Sequence, residues 1–123
     1  MDFYQKINLI IEKDKRYKAD AYEFTMQALH FTQNKLNRSG HLTGKELLEG
    51  IKEFGLDKYG IMLKNLLEYW GLTSTDDFGE IVFNMINYGL MSKTDNDSKN
   101  DFKNVYSFNL AFDIKEKITL ENK

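Results

Sequence analysis

Apolar side chains recur at helical spacing in five successive segments of this 123-residue chain. Within each segment they fall on one stripe, which is the pattern of a helix that buries one face against a core. The chain contains no proline, so its helix ends must come from glycine and polar caps. The pattern predicts a mainly α domain with helices over residues 2–13, 20–36, 43–54, 56–71 and 75–89.

Polar residues mark two of the predicted helix starts. Residues 43–46 read T-x-x-E, the spacing of a capping box. The stretch "LTSTDD" at residues 72–77 places a Ser or Thr cap before two aspartates, which a helix dipole favours in the first turn. Gly50 lies inside the third helix, where it costs about 1 kcal/mol relative to alanine. A close helix crossing at Gly50 would explain its presence.

The stretch "NYGLMSKTDNDSKNDFKNVYSF", residues 87–108, has the pattern of a helix end followed by a two-stranded wing. "LMSK" and "NVYSF" are candidate strands, and the polar residues between them favour a turn. We therefore predict a mainly α fold with a small C-terminal β-hairpin at about residues 90–108, a winged-helix-like helical domain. The domain is expected to span residues 1–112, and residues 113–123 are expected to form a charged, frayed tail.

Composition limits the class of protein and its compartment. Hydrophobic residues make up 41% of the chain and aromatic residues 14%, enough for the core of one domain. The absence of cysteine excludes disulfides and thiolate chemistry. No apolar run approaches the ~18 residues of a membrane span, and the N-terminus lacks the features of a signal peptide. We therefore expect a cytoplasmic protein without a membrane partner.

Most of the chain, from Tyr17 to Phe112, resembles a known family. The stretches "HLTGKELLEGI" and "LLEYWGLTSTDDFGEIVFNMINYGLMSK", together with "YKADAYEFTMQAL" and "DFKNVYSFNLAF", are similar to the Minf-type family of uncharacterised bacterial proteins, a domain of unknown function. The first sixteen and the last eleven residues lie outside the resemblance. The resemblance implies a small cytosolic domain with no established activity, and it supplies no catalytic residues.

The sequence offers two weak metal signals. His41 and Glu46 could be imagined as zinc ligands, but no H-E-x-x-H spacing is present, and a loop or capping role is favoured for His41. A calcium loop that starts at Asp95 would fail at its fifth, sixth and twelfth positions. We predict no metal site and no cofactor.

The carboxylates of "TDDFGE", Asp76, Asp77 and Glu80, could serve as an acid and base pair. Their place at a helix start favours the simpler role of capping amides and complementing the helix dipole. We therefore predict no catalytic residues.

The charge of the helix before the predicted wing argues against nucleic acid. This helix would enter the major groove, yet residues 75–89 contain no Lys or Arg and three carboxylates near the start. Asn84 and Asn87 are its only side chains of the base-reading types. The net charge of −2 is spread without a basic stripe, so we consider nucleic acid an unfavoured partner.

By elimination, the sequence favours a non-enzymatic protein-interaction or adaptor module. Phe102, Tyr106 and Phe108 form the candidate interaction surface, although these side chains could equally close the core. The first alternative is a winged-helix-type nucleic-acid-binding regulator, and the second is an enzyme or metal-binding protein of unknown reaction. The sequence names no protein partner and leaves a homo-oligomer open.

Overall fold

The computed structural model describes residues 1–92 and 97–112, and these two ranges form helices and turns without a strand. The predicted mainly helical content therefore agrees with the structure. Two 3₁₀ turns, Gly60–Met62 and Lys99–Phe102, interrupt the α-helices. The α-helices are α1 (Phe3–Lys13), α2 (Ala19–Lys35), α3 (Gly44–Tyr59), α4 (Leu63–Tyr69), α5 (Thr75–Asn87) and α6 (Phe108–Phe112).

The predicted β-hairpin at about residues 90–108 is wrong, and the winged-helix-like architecture is wrong with it. Backbone amides that a strand pair would have used donate hydrogen bonds to side chains of α5 instead. The Asn104 amide donates to Asp76 Oδ1 at 2.9 Å, and the Val105 amide donates to Thr75 Oγ1 at 3.1 Å. Residues 98–106, called the strap below, therefore lie across the start of α5. The middle of the predicted turn, residues 93–96, and the predicted tail, residues 113–123, lie outside the described residues.

One aromatic side chain explains why the strap packs against helices. Phe102 is only 4% exposed. Its ring lies close to Gly44 at the start of α3, and its Cβ lies close to Gly79 in α5. A Cβ at Gly79 would lie 2.9 Å from Phe102 Cβ, so the missing side chain on α5 makes room for the strap. Burial of a phenylalanine outweighs the modest preference of the adjacent residues for strand.

Helices α2 and α3 cross closely at Gly50, as expected for a glycine inside a helix. An added Cβ at Gly50 would overlap Thr32 Oγ1 and lie 2.8 Å from Thr32 Cβ. Thr32 is itself buried, and its hydroxyl donates to the Ala28 carbonyl at 2.7 Å. The crossing therefore leaves no room for a side chain at Gly50.

The boundary between α3 and α4 falls later than the sequence suggested. The third helix was predicted to end at residue 54, but α3 continues to Tyr59. Gly55 instead admits its neighbours, because a Cβ there would lie 2.8 Å from both Leu63 methyls. The chain breaks at Gly60, whose φ of 55° lies in the region that favours glycine.

The core is continuous and rich in aromatic rings. Phe24 lies at its centre, with ring centroids of Trp70 at 5.7 Å and Phe78 at 6.4 Å. Trp70 is 6% exposed, so it belongs to the core. The largest fully buried side chains come from all six α-helices and the Leu72 turn: Tyr22, Phe24, Phe78, Phe112, Ile7, Ile10, Leu48, Ile51, Leu63, Leu67, Leu72 and Ile81.

A polar network fastens the α1–α2 connection to α5. Asp14 accepts from Arg16 Nη2 at 2.7 Å and from Asn84 Nδ2 at 3.0 Å. Arg16 also reaches Glu80, which accepts from Lys99 of the strap at 3.0 Å. The hydrogen bonds from Arg16 hold the pKa of Asp14 well below its usual range, and the hydrogen bond from Lys99 lowers the pKa of Glu80.

The Asp14 network should make stability depend on pH at the acid end. A carboxyl whose pKa is lowered by folding adds stability above its unfolded pKa of about 3.9, and this stability is lost as the pH falls through the folded pKa. We expect Asp14→Asn to lower the free energy of unfolding at pH 7 by about 1 kcal/mol, because Arg16 is partly screened by solvent. The difference from the wild type should shrink below about pH 3.9.

Urea unfolding midpoints at pH 7 and at steps down to pH 2 measure this difference. Asp57→Asn is the matched control, because Asp57 is exposed at the end of α3. A stability difference for Asp14→Asn that stays constant across the pH range would contradict the assignment.

Candidate binding cleft

A cleft of about 380 Å³ opens between α2, α5 and the start of α3. The second half of α2 forms one wall, and the second half of α5 forms the opposite wall. The α2–α3 connection and Gly44 border one side, and residues 90–92, 97–98 and 101–102 border the other. The volume lies near the lower end of the range for ligand pockets, about 300–1,000 Å³.

Half-buried apolar side chains converge on this cleft. Each packs against the core on one side and remains partly open to solvent on the other. Large apolar surface left open in one concave place is typical of a binding site. We call these six residues the apolar wall: Met26 and Leu29 of α2, Phe83 and Ile86 of α5, and Leu90 and Met91 beyond it.

The rim of the cleft is acidic. Asp97 and Asp101 line it, and His41 Nε2 lies 2.9 Å from Asp97 Oδ1. This contact joins the α2–α3 connection to the segment after α5. His30 is exposed on the α2 side of the rim. Among the described residues that line the cleft there is no Lys or Arg. The Asp97 side chain is only 16% exposed and contacts His41, so Asp101 is the more exposed carboxylate of the rim.

The predicted interaction residues face inward, and of the three only Phe102 also lines the cleft. Phe102 and Phe108 are buried at 4% and 5% exposure, and Phe108 stacks near Phe112 with ring centroids 4.9 Å apart. Tyr106 is half-buried, and its hydroxyl donates to the Leu48 carbonyl at 2.8 Å. Burial raises the pKa of Tyr106. The placement of Phe102, Tyr106 and Phe108 agrees with the alternative expectation from the sequence, that these side chains close the core.

The acidic residues at the start of α5 bind neighbouring segments of the chain. Asp77 Oδ2 accepts from the Thr73 amide at 2.8 Å, and Asp77 Oδ1 accepts from the Tyr17 hydroxyl at 2.6 Å. Burial, with further help from Asp77, raises the pKa of Tyr17. Asp76 binds the strap, and Glu80 binds Arg16 and Lys99. The Asp77 contacts match the capping role favoured from the sequence, whereas Asp76 and Glu80 bind neighbouring segments instead.

The sequence signals for base reading and for metal binding lead to no site in the described ranges. Asn84, which could have read a base edge, donates to Asp14 and to the Tyr22 hydroxyl at 3.1 Å. Glu46 caps α3, and its carboxylate pairs with Arg38 rather than with His41. Residues 1–92 and 97–112 contain no group of three His, Cys, Asp or Glu that could hold a metal ion.

No helix in the described part of the chain is long and apolar enough to cross a membrane.

No family model, curated protein or solved structure matches this chain. The Minf-type resemblance therefore remains a prediction.

The cleft was not predicted from the sequence. Met26, Leu29 and Ile86 come from helices about fifty residues apart in the chain, and only packing brings them together. A usable signal was present: α2 and α5 each carry apolar residues beyond a single stripe, which indicates surface that the core does not cover.

Proposed function

We propose that this chain is a non-enzymatic protein-interaction module that binds apolar side chains of a partner segment in the cleft between α2 and α5. The observation that supports this proposal is the apolar wall, six large side chains left half-open in one concave place. Removing such surface from water contributes about 25 cal/mol per Å². The acidic rim adds selectivity, because carboxylates favour a partner that carries positive charge.

The second feature that favours this proposal is the rigidity of the cleft walls. α2 and α5 are fixed by the Gly50 crossing and by the Asp14 network, so a partner would meet a largely pre-formed surface. A pre-formed site loses less free energy to ordering when it binds.

Selection from a library of displayed random peptides on the immobilised protein tests the proposal. We expect enriched peptides to share one or two large apolar residues beside a Lys or Arg. Met26→Glu or Ile86→Glu, one substitution on each wall, should reduce their binding at least tenfold, because each places a charge on the apolar wall. Tyr69→Glu is the matched control, since Tyr69 is 69% exposed on α4 outside the cleft.

Amide chemical shifts of the wild-type protein provide a readout that does not depend on folding of the variants. Titration with an enriched peptide should shift the amides of α2, α5 and residues 40–44 most strongly. Failure to enrich any peptide, or shifts centred away from these residues, would overturn the proposal.

A further inference from the structure

A pocket smaller than the cleft lies between the first half of α2 and the end of α3. Its volume is about 140 Å³, and it shares no lining residue with the cleft. Aromatic rings and charged groups of both signs line it together: Phe24, Tyr59 and Trp70 with Asp20, Glu23 and Lys58. Such a mixture suits a ligand that is itself charged at both ends and apolar between them.

Trp70 brings an unused hydrogen-bond donor to this pocket. The residue is only 6% exposed, and its indole N–H has no hydrogen-bond partner in residues 1–92 and 97–112. Every fully buried side-chain nitrogen or oxygen in these ranges has a partner, so the indole nitrogen must reach the accessible surface. The pocket is the concave surface that Trp70 lines. Because an indole N–H this deeply placed normally has a partner, the donor indicates an acceptor atom on a ligand.

The charged groups of the pocket are separated along α2. Asp20, Glu23 and Gln27 are spaced three and four residues apart, so they share one face of the helix. Asp20 is exposed in the first turn and forms no ion pair within the described ranges. Lys58 lies at the other end of this face, where its ammonium donates to Gln27 Oε1 at 2.9 Å. A positive group is therefore favoured near Asp20 and Glu23, and a negative group near Lys58.

Aromatic rings supply the apolar part of the pocket. The Tyr59 and Trp70 rings meet at 76° with their centroids 5.9 Å apart, and Phe24 packs against both. Glu23 and Gln27 are separated by about 6 Å along the helix axis. The two charges of a matching ligand are therefore separated by a short chain of methylene groups, which the rings would remove from water.

We propose that this pocket binds a small zwitterion, an ω-amino acid with a short methylene stem. Its ammonium lies beside Asp20 and Glu23. Its carboxylate accepts from the Trp70 N–H on the side of Lys58, and the stem packs against the Tyr59 ring. The site is separate from the cleft, so this inference goes beyond the proposed function and does not depend on it.

Titration with γ-aminobutyrate, followed by NMR of the indole N–H, tests the proposal. Trp70 is the only tryptophan of the chain, so the indole N–H gives a single cross-peak. We expect the peak to move in a saturable way with a millimolar dissociation constant, because a ligand of so few atoms binds weakly. Butylamine and butanoate carry the same stem with one charge each. Each should bind about fivefold more weakly or worse, and so should glycine, whose two charges are too close together.

Two variants test the assigned contacts. Asp20→Asn removes a carboxylate at an exposed position, so the fold is preserved, and it should weaken γ-aminobutyrate binding about fivefold. Trp70→Phe keeps an aromatic ring but removes the N–H, and saturation transfer to the ligand should show a similar loss. Asp57→Asn is the matched control for Asp20→Asn, because Asp57 is exposed and does not line the pocket.

Three results would overturn the inference. The first is an indole peak that does not move in a saturable way at tens of millimolar γ-aminobutyrate. The second is equal binding of butylamine or butanoate, which would show that the two charges are not both recognised. The third is undiminished binding by Asp20→Asn, which folds whether or not Trp70→Phe does. Failure of displayed peptides to bind the cleft would leave this inference standing, since the two sites share no residue.

Discussion

Gly50→Ala is expected to lower the free energy of unfolding by about 3 kcal/mol or more, one of the two largest effects in this chain. The added methyl would overlap Thr32 Oγ1 and lie 2.8 Å from Thr32 Cβ, so α2 and α3 would have to separate. Their separation would loosen the packing of Leu47 and Ile51 of α3 against α2, because both helices share the core. Urea unfolding followed by far-UV circular dichroism measures the loss.

Two further variants test whether the steric clash causes the loss of stability. Gly40→Ala is the control, because nothing lies within 4 Å of a Cβ at Gly40, and its effect should stay within about 0.5 kcal/mol. Thr32→Ala in the Gly50→Ala background removes the nearest atom and should restore part of the lost stability. A Gly50→Ala protein as stable as the wild type would show that the helices do not cross as closely as described.

Phe102→Ala is expected to lower the free energy of unfolding by about 3–4 kcal/mol. Phe102 is 4% exposed and fills the space that Gly44 and Gly79 leave between α3 and α5. Its removal would leave a cavity and release the strap from the core. A frayed hairpin would respond differently, because truncation of an exposed wing residue costs little.

Leu110→Ala is the matched control for Phe102→Ala, because Leu110 is 87% exposed on α6. Unfolding of the wild type should be a single transition that includes the strap, seen as protection of the Asn104 and Val105 amides from hydrogen exchange. A change below 1 kcal/mol for Phe102→Ala, or early exchange of both amides, would show that the strap is not part of the core.

Local patterns in the sequence predicted the starts of α3 and α5 well, but not the start of α4, which lies at Leu63 rather than at residue 56. The capping box at α3 is present, with the Thr43 hydroxyl accepting from the Glu46 amide at 3.1 Å and the Glu46 carboxylate accepting from the Thr43 amide at 2.9 Å. Such caps depend on residues three positions apart, so sequence alone can specify them. The glycine inside α3 was likewise readable as a close crossing, although its partner Thr32 was not.

The strap and the cleft could not be predicted in the same way, because they depend on contacts between distant residues. "NVYSF" alternates like a strand, but the Val105 amide bonds to Thr75, thirty residues away. Phe102 needs a space made by glycines on two different helices, Gly44 and Gly79. The apolar wall forms only where α2 and α5 pack next to each other. The aromatic residues near the C-terminus were noticed, but only packing shows that they face the core.

The backbone hydrogen bond between Lys18 and Trp70 affects how the chain folds during its synthesis. The Lys18 amide donates to the Trp70 carbonyl at 3.0 Å, and Asp14 binds Asn84 seventy positions later. A chain leaves the ribosome from its N-terminus at about 5–20 residues per second. The connection at residues 14–18 therefore waits several seconds for its partners at Trp70 and Asn84, whereas α1 can already pack against α2.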